Sequence, residues 1–555
     1  MVLPLFLKSV HSCFRKTSQS IDTIAVVIKM NKKKRSAMIL TIVTVSLCLV
    51  AWLSKPNTTN TIGSIVSGKT AVKEIYNVEK QNTIRKTLDE QIAQGSHSEN
   101  NALMVYNPFG TLSMYTYFTT AQGAKISYTI HVEDDKIADF TRTLNSDYTR
   151  THEYQLIGLI PDHENTITLH MEYEDGTNKD VTYTYTCGSL RGNESIQLEA
   201  KEGSSREELS DGLYVILGND SDEDDFMYYY DNNGILRGEV PIEGYRSHRL
   251  LFANERMYYS ISTNKMAEMD ALGQITNVFD LGNYDLHHDY VFDDNGDMLI
   301  LATDTTKDTV EDMIIRLDVA SGAVSQVVDM GDLFPTYKAS VYDKDNDERD
   351  WTHLNTIQWM GDNEILVSSR ETSTIVKITD IYGTPEIDYM MGEKTYWEDS
   401  DYADLLLDKA NSFTSQTGQH SITYVEDDSL AAGQYYLYMF NNNFGYSSTN
   451  TAYDWSQLNI PTEVKAEDAV SKYYKYLVDE SKGTYELVDT FDVPYSPYVS
   501  SVQNIGGNTV VDSGMAFNFQ EYDSDHTLIR SFTMEGEKYI YRVYKYTFDG
   551  FYFNQ

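Results

Sequence analysis

Side chains that could bind or transfer an oxyanion are spaced along one short stretch of the chain, residues 350–370. His353 and Asn355 stand two residues apart, and Arg370 ends the apolar run that follows. Arginine and protonated histidine donate charge-assisted hydrogen bonds, whereas a neutral histidine can act as a nucleophile or carry a proton. These residue types suit a pocket for a tetrahedral or trigonal oxyanion.

An antiparallel hairpin is predicted to position these residues. Apolar alternation indicates a strand at residues 355–360, a polar turn at 361–363 and a return strand at 364–369. Because strand side chains alternate with a period of two, His353 should lie on the same face as Asn355, one step nearer the entrance.

The same hairpin pattern recurs along residues 211–555, each copy with a polar residue at its entrance. The copies begin at His248, His288, Asn355, His420 and, more weakly, Ser500. Two hairpins make a four-stranded unit, and about 345 residues at roughly 40–80 per unit predict a six-bladed β-propeller. Strands from both ends of the region, near residues 213–217 and 539–547, are expected to close the sixth blade.

Equivalent positions on the innermost strands of a propeller surround its central channel, so these entrance residues should form a ring. Recurrence favours a functional role for His288, His353 and His420. His248 fits the ring but is flanked by two arginines and is equally well a surface residue. Strand alternation turns His287 away from the pocket and favours His288. No role is predicted for His97, His131, His152, His163, His170 and His526.

No metal site and no cofactor are predicted. A three-histidine zinc site is the obvious rival, but the helical H-x-x-x-H pattern and short ligand spacing are missing. The acidic runs at residues 220–225 and 343–350 lack the glycine and terminal glutamate of an EF-hand, so solvated loops are expected there.

The charge balance excludes two classes of partner. The 555-residue chain carries 84 acidic and 44 basic residues, a formal net charge of −40. Such a surface repels nucleic acid and anionic membranes. Abundant tyrosine, 43 in all, within valine- and threonine-rich runs indicates many short strands and an all-β fold.

The N-terminal part is predicted to export and tether the protein. Residues 1–36 are a cytoplasmic segment, or the product of a start codon upstream of Met30, and end in a basic cluster. The apolar run 37–53 is expected to be an uncleaved single-pass anchor, ahead of a cleaved signal or a lipoprotein signal. The catalytic part would then lie outside the cytoplasm, at the cell membrane.

The remaining segments divide by composition. Residues 54–100 are expected to form a stalk or short helix, 101–188 a small β-sandwich, 189–210 a linker and 211–555 the propeller. Beyond the anchor the only cysteine is Cys187, so no intramolecular disulfide can form there.

Three motifs, in this order, resemble those of the bacterial arylsulfate sulfotransferases over about residues 95–555. They are Leu286-His287-His288-Asp289, then Asp350-Trp351-x-His353-x-Asn355 with Ser368-Ser369-Arg370, and last Gln419-His420 followed by Met439-Phe440-Asn441-Asn442. The resemblance implies an exported, often dimeric propeller enzyme. It would move a sulfuryl group from a phenolic sulfate ester to a phenol, without a nucleotide sulfate donor.

The resemblance also implies roles for single residues. His420 would be the transiently sulfated nucleophile, and His288, Asn355 and Arg370 would hold the sulfuryl oxygens. His353 would assist with charge or proton transfer. Two features depart from the family pattern: the lack of a disulfide and the presence of an anchor with a stalk.

Two other functions remain open from the residues alone. One is a non-catalytic, surface-tethered propeller that binds a ligand or protein. The other is a sulfate-ester hydrolase that uses water as the acceptor in the same pocket. A binding module has no need of a nucleophile, so the histidines and Arg370 favour an enzyme.

Overall fold

The structure is a computed structural model that describes residues 71–218, 225–341, 349–536 and 538–555. Within these ranges, no helix is long and apolar enough to cross a membrane. The predicted segments 1–36 and 37–53, part of the predicted stalk and most of both acidic runs lie outside the described residues.

Two helices, α1 (Val72–Ile75) and α2 (Val78–Gln94), precede the first sheet. The Asn77 side chain caps α2 by accepting a backbone hydrogen bond. Leu88 of α2 is fully buried and packs with Val105 of the first sheet. This end of the predicted stalk is therefore packed on the folded body and does not stand free.

The first sheet has six strands, and one long strand joins its two halves. Its members are β1 (Leu103–Tyr106), β2 (Met114–His131), β3 (Phe140–Thr143), β4 (Thr149–Leu156), β5 (Glu164–Tyr173) and β6 (Asn178–Thr186). The first part of β2 pairs with β1 and β4, and its later part pairs with β3 and β5. Sequence alternation alone predicts two separate strands here, at 112–117 and 125–132, and the pairing of β2 with β4 is interrupted between them, from Thr119 to Ala124.

Six further sheets follow, each of four or five strands. The first contains β8 (Leu213–Ile216), β9 (Asp225–Tyr230), β10 (Leu236–Ile242) and the last strand, β32 (Val543–Tyr546). The second contains β11 (Leu251–Ala253), β12 (Arg256–Ser262), β13 (Lys265–Asp270) and β14 (Ile275–Asp280). The third contains β15 (Tyr284–Phe292), β16 (Met298–Asp304), β17 (Met313–Leu317) and β18 (Val324–Asp329).

The fourth sheet contains β19 (Leu354–Gly361), β20 (Glu364–Ser369), β21 (Thr374–Thr379) and β22 (Glu386–Met391). The fifth contains β23 (Asp408–Lys409), β24 (His420–Val425), β25 (Gln434–Asn441), β26 (Val470–Asp479) and β27 (Thr484–Pro494). The sixth contains β28 (Ser501–Ile505), β29 (Asn508–Ser513), β30 (Asn518–Tyr522), β31 (Leu528–Thr533) and β7 (Glu199–Glu202). Thus β7, from the predicted linker, completes the last sheet by pairing with β31.

Short helices connect some of these strands. They are α3 (Met330–Leu333), α4 (Pro335–Ser340) and α5 (Lys394–Trp397), with 3₁₀ turns at Ala403–Leu405, Trp455–Leu458 and Gly514–Ala516. Trp351 and Trp397 pack in one apolar cluster with residues of α3 and α4. This cluster supports the segment that leads into β19.

The inner strands of successive sheets lie side by side. Contacts run from β15 to β19, then β24, β28 and β32, and the Tyr546 hydroxyl of β32 accepts the backbone N–H of Leu250, next to β11. The C-terminal strand β32 pairs with β8, as the sequence predicts for the chain ends. The side-by-side packing of these inner strands makes the arrangement propeller-like.

One buried carboxylate joins four of these sheets. Asp289 of β15 accepts hydrogen bonds from the guanidinium groups of Arg249 and Arg542 and from the backbone N–H of Ile357 in β19. Arg542, just before β32, also donates to the Asn355 carbonyl oxygen at 2.7 Å. The Asp289 and Arg542 side chains are both fully buried, so their charges can be compensated only by each other and by these neighbours.

The substitution Arg542→Met should lower the free energy of unfolding by about 3–5 kcal/mol, because it removes one partner of a buried charge pair. Urea unfolding followed by tyrosine fluorescence measures this. The matched control is Lys482→Met, which removes an exposed lysine from its pair with Asp479 and should change the free energy by less than about 1 kcal/mol. Equal effects of the two substitutions would contradict a structural role for the Asp289 cluster.

Candidate active site

His420 is the first residue of the inner strand β24, and its hydrogen bonds fix which tautomer of the imidazole is present. Its Nδ1 lies 2.9 Å from the Gly418 carbonyl oxygen and 2.8 Å from Asn442 Oδ1. Asn442 cannot be turned around, because its Nδ2 donates to the carbonyl oxygens of Ser496 and Val499. Both partners of Nδ1 are acceptors, so the proton sits on Nδ1 and the Nε2 lone pair is left free.

The surroundings of His420 keep it neutral. Only 3% of the residue is exposed. Burial is the main cause that lowers the pKa of His420, to about 3, and the positive charges of His353 and Arg370 act in the same direction. At neutral pH the imidazole therefore presents an unprotonated Nε2.

His353 has the opposite electrostatic environment. Its Nδ1 lies 2.9 Å from Glu311 Oε2 and also contacts the Asp350 carboxylate. Burial lowers the pKa of His353, but Asp350 and Glu311 more than offset this and raise it to about 10. The site thus combines a cationic histidine with a neutral one. Carboxylates face Nδ1 of His353, whereas an amide oxygen faces Nδ1 of His420.

His288 shares the carboxylate that binds His353. Its Nε2 lies 2.8 Å from Glu311 Oε2, and its Nδ1 lies 2.9 Å from the Tyr541 hydroxyl. The rings of His288 and His353 are 4.7 Å apart. Burial lowers the pKa of His288 well below its usual range, and Glu311 opposes this only in part. Both ring nitrogens of His288 are therefore already engaged.

His287 and His248 extend the histidine group. The expectation that His287 turns away is wrong: its ring lies 5.1 Å from that of His288, and a donor atom of His287 lies within 4.8 Å of Glu311. The cause is the backbone, because His288 has a φ of 61° and pairing with β16 is broken between Leu286 and Tyr290. Such a bulge interrupts alternation. His248 is fully buried, with its ring 6.4 Å from that of His288.

Asn355 and Arg370 lie between His353 and His420. Asn355 Nδ2 donates to the carbonyl oxygen of Gln419 at 2.7 Å, which links β19 to the residue before His420. The backbone N–H of Arg370 donates to the His353 carbonyl oxygen. The Arg370 guanidinium pairs with buried Glu371 at 3.3 Å and lies 5.4 Å from the Tyr498 ring.

Ser500 lies behind His420 and does not contact it. Its hydroxyl donates to the Ser496 hydroxyl at 2.8 Å, and the Ser496 carbonyl oxygen accepts from Asn442. The structure thus brings His248, His288, His353, Asn355, Arg370, His420 and Ser500 into one connected group. The six histidines without a predicted role lie outside it.

Several residues of this group have no strong sequence signal. Glu311 lies in the loop between β16 and β17, outside any alternating strand pattern. Its backbone has a φ of 57°, and its residue type does not signal this conformation. Asn442 belongs to the third motif, but its contact with His420 depends on strand pairing. Tyr541 and Arg542 lie just before the C-terminal strand β32, more than 100 residues away along the chain.

Two overlapping donor sets in the described part of the chain could hold a metal ion. They are His287, His288 and Glu311, and Glu311, Asp350 and His353, each set with its donor atoms within 4.8 Å. Two contacts within these sets, His288 to Glu311 and His353 to Asp350, already have hydrogen-bond geometry, and His353 also forms an ion pair with Glu311.

A neutral imidazole near an arginine and a cationic histidine, among the inner strands of a propeller-like set of sheets, is a combination of groups that suits an oxyanion substrate. The family model described as arylsulfotransferase (ASST) matches residues 199–545, and the arylsulfotransferase Ig-like domain matches residues 103–188. The chain belongs to the arylsulfotransferase family. It is an aryl-sulfate sulfotransferase, and family membership implies a small-molecule aryl sulfate donor and a phenol acceptor. The resemblance found from the sequence motifs is confirmed.

Comparison with other proteins gives more distant similarities. No curated protein matches the chain significantly. Among solved structures, virginiamycin B lyase from Staphylococcus aureus with quinupristin is 14% identical, with a TM-score of 0.31, over 62% of this chain and 88% of that chain. BamB from Moraxella catarrhalis is 9% identical, with a TM-score of 0.28, over 68% and 96%. Neither similarity, at these scores, bears on what this chain does.

Histidine NMR of the uniformly ¹⁵N-labelled protein should show two opposite titrations. His420 should remain a neutral Nδ1–H tautomer down to about pH 3, and His353 should remain an imidazolium up to about pH 10. The variants His420→Gln and His353→Gln assign the signals. A His420 signal that titrates near the ordinary value of about 6.5 would contradict the geometry of Nδ1.

Proposed function

We propose that this enzyme transfers a sulfuryl group from a phenolic sulfate ester to a phenol through a sulfohistidine on His420, by a ping-pong mechanism and without a nucleotide sulfate donor. The observation that carries this is the fixed Nδ1–H of His420, which leaves an unprotonated Nε2 in a buried, cation-lined pocket. A covalent intermediate divides one difficult transfer into two easier ones.

In the first step, Nε2 of His420 attacks sulfur as the bond from sulfur to the aryl oxygen breaks. The electron pair leaves with the phenoxide, and the His353 imidazolium gives it a proton. His353 suits this exchange, because its pKa of about 10 is close to the value of about 10 of a simple phenol such as tyrosine.

In the second step, the acceptor phenol oxygen attacks sulfur as the bond from sulfur to Nε2 breaks. Neutral His353 takes the phenolic proton, which restores the imidazolium, and His420 returns to its neutral form. Arg370 is proposed to offset charge on the transferring group, and Asn355 to hold a sulfuryl oxygen with it. For His288 to do the same, the substrate would have to replace Tyr541 at Nδ1, and Nδ1 would have to carry a proton, since the single proton of the neutral ring lies on Nε2.

Family membership does not favour the two alternative functions. A non-catalytic binding module has no use for an unprotonated, buried nucleophile. A hydrolase differs from the proposed transferase only in the acceptor, so the dependence of turnover on added phenol separates the two.

We also propose the finer architecture and placement. Inner-strand contacts and the pairing of β8 with β32 support six blades in residues 211–555, after the domain at 101–188 and the segment 189–210. The basic cluster and apolar run at 37–53 support a single-pass anchor in the cell membrane, with the enzyme outside the cytoplasm. Homodimer formation is proposed by analogy with the family, and size-exclusion chromatography with light scattering tests it.

With 4-nitrophenyl sulfate as donor, nitrophenol release should require an added phenol after the first turnover. His420→Ala should lower the rate by at least about 10³-fold, since it removes the nucleophile. His526→Ala, at a histidine outside the site, should retain the wild-type rate. Sustained release without acceptor would favour a hydrolase, and an unchanged rate in His420→Ala would contradict the proposal.

Substitution of Asn442 should impair the first step without removing the nucleophile. Asn442→Leu leaves Nδ1 only the Gly418 carbonyl oxygen, so the ring is less well oriented and the rate should fall by roughly 10–100-fold. Pre-steady-state nitrophenol release measures this step. The control Asn443→Leu changes a neighbouring asparagine that binds Val470 instead. Equal rates in Asn442→Leu and wild type would exclude the orienting role.

A further inference from the structure

Glu311 occupies the centre of the histidine group. Its Oε2 accepts a hydrogen bond from Nε2 of His288 at 2.8 Å and forms an ion pair with Nδ1 of His353 at 2.9 Å. Its backbone is bound on both sides: its N–H donates to Thr303 Oγ1, and its carbonyl oxygen accepts from the Leu354 N–H. The carboxylate is therefore fixed relative to the residues that enter β19.

A carboxylate in this position needs an explanation, because the proposed donor is an anion. Glu311 and Asp350 both add negative charge to a pocket that has to bind a sulfate ester, and like charges in a buried site repel strongly. Their presence is explained if they stabilise the protonated form of a histidine and do not contact the substrate. Both carboxylates meet at a single nitrogen, Nδ1 of His353.

The groups that face His353 come from four parts of the chain. Asp350 and Glu311 are the anions, His287 and His288 come from β15, and the neutral His420 and cationic Arg370 complete the set. Because Nδ1 is used by the two carboxylates, Nε2 is the nitrogen that His353 has left to donate. The described residues provide no hydrogen-bond partner for that nitrogen.

We propose that Glu311 is a positioning residue of the active site, which fixes His288 and His353 in one array and keeps a proton on His353 for the leaving phenoxide. Asp350, which also contacts Nδ1 of His353, stabilises the same protonated ring. This inference rests on the proposed function. In it, Glu311 neither touches the substrate nor changes its own protonation, and the proton moves between Nε2 of His353 and the phenol oxygen.

The rival explanation is a metal ion. The two histidines and one carboxylate of His287, His288 and Glu311 are a donor set that suits Zn²⁺ or another divalent transition metal. Both ring nitrogens of buried His287 lack a hydrogen-bond partner among the described residues. The hydrogen bond of Glu311 to His288 and its ion pair with His353 favour the proton-holding role, and metal analysis separates the two explanations.

The first experiment titrates the histidines by NMR in the full chain without substrate. Loss of one nearby carboxylate should lower the pKa of His353 by about 1–3 units in Glu311→Gln, and likewise in Asp350→Asn. The matched control is Asp489→Asn, which removes the partner of His526 outside the site and should leave His353 unchanged. An unchanged His353 titration in a folded Glu311→Gln protein would overturn the proposal.

The second experiment varies the leaving group. Glu311→Gln should lower kcat/KM more for phenyl sulfate than for 4-nitrophenyl sulfate, by roughly 10-fold or more, since nitrophenoxide leaves without a proton. The alkaline limb of the profile, near pH 10 in the wild type, should move to lower pH. An equal loss for both donors, with an unmoved limb, would indicate structural damage only and overturn the proposal.

The third experiment measures metal content by elemental analysis of wild type and Glu311→Gln. The proposal expects no bound divalent metal in either protein. One metal per chain that disappears in Glu311→Gln would overturn the proposal in favour of ligation. Full activity of His420→Ala would instead refute the proposed function, and the NMR titration of His353 would still report on Glu311.

Discussion

The Asp289 carboxylate is the interaction on which the centre of the molecule depends. It binds two arginines that lie next to two other sheets and a backbone N–H of a third, and both Asp289 and Arg542 are fully buried. An uncompensated charge there would be strongly destabilising, so the four sheets are held at a defined separation. Arg542 transmits this constraint to the Asn355 carbonyl oxygen, and so to the start of β19, next to His353.

Around this cluster, the groups that face Nδ1 differ between two buried histidines, and at neutral pH one histidine is neutral and the other is protonated. His420 Nδ1 faces an amide oxygen and a carbonyl oxygen, which accept a hydrogen bond from Nδ1–H but carry no negative charge to stabilise an imidazolium. His353 Nδ1 faces two carboxylates, which do. The same residue type therefore supplies a neutral nucleophile and a proton carrier in one pocket.

The sequence was informative for those candidate site residues that stand at equivalent positions of the repeated hairpins. The hairpin at residues 354–369, the pairing of the chain ends and the gathering of His288, His353, Asn355, Arg370 and His420 all follow from recurring strand patterns. Glu311 and Tyr541 were missed because their contacts join distant segments. His287 was misplaced because the bulge at His288 breaks the alternation on which the prediction relied.

The central claim is that His420 carries the sulfuryl group between two phenols. The most direct measurement is mass spectrometry of the protein after reaction with 4-nitrophenyl sulfate alone, under alkaline conditions that preserve sulfohistidine. We expect one sulfuryl group on the peptide that contains His420, lost when phenol is added and absent in His420→Ala. An unmodified protein that still transfers sulfate, or a label on another residue, would contradict the account.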